Sequence, residues 1–136
     1  MGLSPNEVKI YRAIQNELPL RVYAFHSGTK ELAARAPDPR DRQSPHPFFE
    51  VRAMKFFADG ALGSRGATLL EPYSDDPNNK GNWIVSADEL KEVVQLAAQN
   101  HWQLGIHAIG DAANRAVLDA YATVDAKGLR FRIEHA

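Results

Sequence analysis

Two histidines close short apolar runs: His107 ends Gln103-Leu104-Gly105-Ile106-His107, and His135 ends Arg130-Phe131-Arg132-Ile133-Glu134-His135. A lysine, Lys55, lies inside an earlier run, Val51-Arg52-Ala53-Met54-Lys55-Phe56-Phe57. Neutral imidazoles bind zinc, iron, nickel and similar borderline ions. If the runs are successive strands of a parallel β/α barrel, both rings project to the mouth where that fold collects its catalytic groups. Imidazoles gathered there can hold a metal that activates water. A lysine buried among apolar neighbours has a lowered pKa, and its neutral amine can capture carbon dioxide as a carbamate able to bridge two metal ions. The plainer alternatives stay open at this point: a packed or surface histidine, and a snorkelling or salt-bridged lysine.

The other dense segment is Asp59-Gly60-Ala61-Leu62-Gly63-Ser64-Arg65-Gly66-Ala67. Its glycines permit close backbone approach, and Ser64, Arg65 and Asp59 are the expected substrate contacts, offering groups to an oxygen or carboxylate. A lid whose arginine is tied to a structural acid fits the same residues. A phosphate loop is excluded, since no Gly-Lys-Ser/Thr ends the motif. Asp111 suits a helix cap or a place at the site. Glu134 alternates away from His135 on a strand, so a cation among the neighbours of Arg132 or on a helix is expected to pair with it. His26 ends a strand at a rim position too, whereas His46 and His101 sit in incidental contexts. No Gly-x-Ser-x-Gly elbow supports serine hydrolysis.

The elements that must position these groups follow from caps and periodicity. Ser4-Pro5-Asn6-Glu7 is a capping box that starts a helix carrying Val8, Tyr11, Ile14 and Leu18 on one face up to Pro19. Leu20 to Phe25 reads as the first strand. His26 to Pro47, with Pro37, Pro39, Pro45 and Pro47, reads as a long surface loop holding a short helix near Glu31 to Arg35. Phe49 to Ala58 is the second strand, followed by a long glycine-bearing loop to Asn82. Ser86-Ala87-Asp88-Glu89 caps a second long helix that buries Leu90, Val93, Val94 and Ala97. Trp102 to His107, a helix from Asp111 to Thr123, and Leu129 to His135 complete the pattern. Strands without strict polar alternation, joined by helices, predict a parallel sheet in an α/β fold.

At 136 residues, 44% hydrophobic, the chain has the size of one domain, and we read residues 1–136 as a single partial barrel unit, because a whole (β/α)8 barrel takes roughly 250 residues. A net charge of −1 gives no sign of a nucleic-acid or membrane partner. The absence of cysteine removes thiolate metal sites and disulfides. No apolar run reaches a membrane span, and the start resembles neither a signal peptide nor a myristoylation site, so a soluble cytoplasmic protein is the expectation.

Lys55-Phe56-Phe57-Ala58-Asp59-Gly60-Ala61-Leu62-Gly63-Ser64-Arg65, Glu71-Pro72-Tyr73, His107-Ala108-Ile109-Gly110-Asp111 and Arg132-Ile133-Glu134-His135 together resemble the YtcJ-like branch of the amidohydrolase superfamily, amidohydrolase family 3, which includes N-substituted formamide deformylases. The resemblance is specific from Val51 to Ala136 and weaker before Phe48. It implies a metal-dependent hydrolase of amide-type carbon–nitrogen bonds in small molecules, built on a distorted TIM barrel. Lys55 matches that family's carboxylatable lysine, His107 its strand-five ligand and His135 its strand-six ligand, for one or two divalent ions with zinc expected. The family's His-x-His pair on strand one, its aspartate on strand eight and its small β-sandwich have no counterpart here. The chain therefore resembles units three to six, an internal fragment expected to be inactive alone and to self-associate through exposed strand edges. Two other readings compete: a non-catalytic truncated β/α module, and a TIM-barrel lyase using Lys55 as a Schiff base, which the histidine pair disfavours.

Overall fold

The computed structural model describes residues 2–38 and 46–136. Pro39 and Pro45 of the proline-rich stretch lie outside the described residues. In chain order the elements are α1 (Pro5–Ala13), β1 (Val22–Ser27), α2 (Lys30–Ala33), β2 (Phe49–Phe57), a 3-10 turn (Leu62–Ser64), α3 (Ala87–Gln99), β3 (Gln103–His107), α4 (Asp111–Tyr121) and β4 (Arg132–Glu134). The strands form one sheet in the order β1-β2-β3-β4, every neighbouring pair parallel. Sequential parallel strands with intervening helices are the architecture of a partial (β/α)8 barrel.

Local chemistry sets the helix starts. Ser4 Oγ accepts from Glu7 N at 3.3 Å while Glu7 Oε2 accepts from Ser4 N at 2.7 Å. Ser86 and Glu89 repeat the exchange at the start of α3, at 3.2 and 2.8 Å. Helix α1 ends at Ala13, short of Pro19, because Ile14 leaves helical ψ and Glu17 N turns back to Ile14 O at 2.8 Å. Strand β1 runs two residues later than the sequence predicts, enclosing His26. It finds main-chain partners on both sides: β2, and Leu3, which donates to Phe25 O at 2.7 Å and accepts from Ser27 N at 2.8 Å. Strand β4 is shorter than predicted, because Arg130 and His135 take left-handed φ values of 55° and 72° that break the extended run on both sides.

Two apolar clusters form on the helix-covered face. Val8 of α1 packs with Ala24, Phe49 and Val51, while Met54, Phe56, Leu104 and Ile106 pack against Leu90, Val93, Val94 and Ala97 of α3 and Ala113, Val117 and Ala120 of α4. A bulge in β2 links the two. Ala24 pairs with Val51 but Phe25 pairs with Ala53, so Arg52 is the extra residue. Side chains alternate along a strand. Counting by twos from Phe49 and Val51 would put Lys55 under the helices; the bulge shifts the phase and sends Lys55 and Phe57 to the opposite, concave face. Register carries Gly105, His107, Arg132 and Glu134 to that face as well.

Candidate metal centre

Lys55, Phe57, His107 and His135 form a continuous patch at the carboxyl ends of β2, β3 and β4. Lys55 is 7% exposed. Its Nζ donates to Phe56 O at 3.1 Å and lies 4.1 Å from the centroid of the Phe57 ring. On its other side the Phe57 ring lies 5.3 Å from that of His107, and the His107 and His135 rings meet edge-on at 5.0 Å. Burial lowers the Lys55 pKa from its ordinary value, and the nearby Glu134 carboxylate partly opposes the shift. The lysine and the two histidines that the sequence singles out thus share one rim.

Glu134 faces this rim and pairs with Arg132, whose guanidinium also stacks 4.7 Å from the Phe25 ring. Room for Glu134 comes from Gly105, where a Cβ would lie 2.9 Å from Glu134 Oε1 and 2.7 Å from the Phe25 ring edge. The cation partner of Glu134 is therefore Arg132 itself, on the same strand, rather than a neighbour of Arg132 or a helix residue. Sequence reasoning passed over Phe57 and the inward position of Glu134; the parallel register of Phe57, His107 and Glu134 would have revealed both.

The three residues expected to touch substrate are placed differently. Asp59 is fully buried, and its carboxylate accepts from Thr68 N (2.9 Å), Ile109 N (3.0 Å) and Gly110 N (2.8 Å). Through these bonds Asp59 ties the loop to the β3–α4 turn. Its Oδ1 lies 3.5 Å from His107 Nε2, which also approaches Gly60 O at 3.2 Å. Arg65 directs Nη2 and Nε at Asp75, at 2.7 and 3.1 Å, on an exposed turn. Ser64 Oγ donates to Ala61 O at 3.1 Å. The arginine tied to an acid, left open by the sequence, is the arrangement found, and neither residue joins the Lys55 patch.

The loop itself is closely bonded to the barrel. Trp83 bridges Asp59, and Ile84 N donates to Ala58 O at 2.9 Å. Asp111 Oδ1 accepts from Leu70 N at 2.9 Å and from Ala112 N at 2.8 Å, so it anchors the loop while Gly110 stands at the helix cap. Gly110 is required by close approach: a Cβ there would lie 1.8 Å from Thr68 O. His26 packs edge-on against Trp102 at 6.0 Å, on the helix side, away from the His107–His135 pair. His46 contacts Asn16 Oδ1 at 3.0 Å, and His101 is exposed.

The donor set suits a borderline divalent ion. With His107 Nε2 facing Gly60 O and Asp59, Nδ1 is the nitrogen left for a metal. Among the described residues no three His, Asp or Glu side chains converge; Lys55 is a further nitrogen on the same rim. The lowered pKa and apolar packing of that amine fit carbamate formation.

The amidohydrolase family model matches residues 2–136. The chain belongs to the amidohydrolase family. It is 44% identical over 87 residues to the protein LONG AFTER FAR-RED 3 of Arabidopsis thaliana, covering 61% of this chain and 15% of the relative. With YtcJ of Bacillus subtilis (strain 168), named as an amidohydrolase, it shares 42% identity over 91 residues, 66% of this chain and 17% of YtcJ. An uncharacterized metal-dependent hydrolase from Pyrococcus horikoshii OT3 superposes with a TM-score of 0.79 at 27% identity, covering 98% of this chain and 27% of that one. A second, from Pyrococcus furiosus, gives 0.77 at 27% identity, covering 98% and 32%. This amidohydrolase chain thus spans 15–17% of the length of those two curated relatives. Among its described residues no helix is long and apolar enough to cross a membrane.

Proposed function

We propose that this chain contributes Lys55, His107 and His135 to the metal centre of a hydrolase that cleaves carbon–nitrogen bonds of small, non-peptide amides, with zinc as the ion, in the cytoplasm. The observation that carries the reading is the contact series from Lys55 through Phe57 and His107 to His135 on one strand-end rim. Family membership and the metal-dependent hydrolases it superposes on support it.

A bound divalent ion supplies a water of near-neutral pKa and a Lewis acid for the amide carbonyl oxygen. The Lys55 lone pair attacks the carbon of carbon dioxide, forming an N–C bond and releasing one proton to solvent, which leaves a carbamate with two oxygen donors. His107 donates its Nε2 proton toward Gly60 O and offers Nδ1. His135 takes a left-handed backbone conformation and sets its ring edge-on to that of His107. Phe57 walls the amine from water and presents an apolar surface beside the reacting groups.

The test uses the protein as its gene encodes it. His107→Ala and His135→Ala are each expected to lower bound metal and abolish amide hydrolysis, since each removes a member of one shell. Lys55→Ala is expected to do the same, with partial recovery on adding short carboxylic acids in place of the carbamate. Unchanged metal content and turnover in Lys55→Ala would remove the bridging role.

A further inference from the structure

Asp59 is the one fully buried carboxylate among the described residues, and the reaction as proposed gives it nothing to do. Three backbone N–H groups already satisfy much of its acceptor capacity. Those bonds explain a structural carboxylate, but they do not explain why its Oδ1 stands 3.5 Å from His107 Nε2. A histidine ring has two nitrogens, and the group that receives the proton of one decides which is left to bind a metal. Here Nε2 faces two acceptors, Gly60 O at 3.2 Å and Asp59 Oδ1, and no donor among the described residues.

We infer that Asp59 is a positioning residue for the metal centre: with Gly60 O it holds the Nε2 proton of His107, so that the ring presents Nδ1 to the ion. The inference rests on the metal-centre reading above. Carboxylates behind histidine ligands fix the tautomer and raise ligand basicity, and their loss typically weakens metal affinity on the order of 10–100-fold. The same carboxylate grips Thr68 N in the loop and Ile109 N and Gly110 N in the β3–α4 turn. Loop closure and ligand orientation therefore share one group, and a loosened loop would let the ring turn.

The first measurement needs no variant. In the metal-free, gene-encoded protein with 15N-labelled histidine, the His107 resonances, assigned by their loss in His107→Gln, are expected to show the Nε2–H tautomer. An Nδ1–H tautomer would overturn the inference. The second compares Co2+ affinity in Asp59→Asn and Asp111→Asn. Both loosen the same loop, but only Asp59 touches His107. Asp59→Asn is expected to weaken Co2+ binding at least tenfold more than Asp111→Asn at equal loss of stability. Equal losses would reduce Asp59 to a loop anchor and overturn the positioning role. Should Asp59→Asn fail to fold, the unaltered protein still tests the inference, since an Nδ1–H tautomer there overturns it. Failure of the unaltered protein to bind Co2+ would sink the metal-centre reading, and this inference with it, through a readout independent of Asp59.

Discussion

Burial on the concave face pulls the Lys55 amine below its ordinary pKa, while Glu134 pulls it partly back. A base whose folded pKa is depressed binds fewer protons folded than unfolded between the two values. Stability must therefore rise with pH through that window, up to the unfolded value of about 10.4. Tyr23 and Tyr121 have raised values and act only in the phenol range, at about pH 10 and above, with the opposite sign. We expect metal-free Lys55→Met, which keeps bulk and loses charge, to be more stable than the parent at neutral pH, with the difference shrinking toward pH 10. Urea midpoints of both proteins from pH 7 to 9.5 check this; parallel curves would mean the amine is not desolvated. The sequence disclosed Lys55 as a charged residue in an apolar run. It could not disclose Asp59's neighbours, because Thr68, Ile109 and Gly110 meet it only once the loop folds back across as many as 51 positions.

At the scale of elements, short-range chemistry was legible and long-range pairing was not. Capping boxes at Ser4 and Ser86 are local and start their helices where expected. Strand ends depend on neighbours: β1 gains His26 and Ser27 from pairing with Leu3 and β2, and β4 loses Leu129 to a turn closed by its own N–H on Ala126 O at 2.9 Å. The β2 bulge at Arg52 is the feature on which the site depends most, and only the paired register reveals it. Two predictions belong here. Ser86→Ala removes the cap on Glu89 N and is expected to cost about 1 kcal/mol in urea unfolding. Gly110→Ala forces a Cβ against Thr68 O and is expected to cost at least about 1–3 kcal/mol. Gly63→Ala, with open space around its Cβ, serves as the matched control and should match the parent or exceed it by up to about 1 kcal/mol. Equal midpoints for the Gly110 and Gly63 variants would show that the loop does not press on the β3–α4 turn.

For the whole molecule, the helices α1, α3 and α4 cover one face of the sheet and leave the other without a helix among the described residues. That concave face carries Tyr23 at 40% and Phe57 at 38% exposure, and a cleft of about 510 Å³ lined by Tyr23, Phe25, Gln103, Arg130 and Arg132. In a closed barrel such side chains interdigitate with those of opposing strands. The outer edge of β4 presents main-chain groups without a neighbouring strand among the described residues, while Leu3 covers part of the β1 edge. Unpaired strand edges template association, so the 136-residue polypeptide produced by itself is expected to self-associate, mainly through β4. Sedimentation velocity across a hundredfold range of concentration should show a rising average mass. Metal analysis of the same samples should show less than one ion per chain, since the three proposed ligands make an incomplete shell for a bridged pair of ions. A concentration-independent monomer holding stoichiometric metal would mean that the concave face is closed by the chain's own residues, and the partial-barrel account of its stability would have to be abandoned.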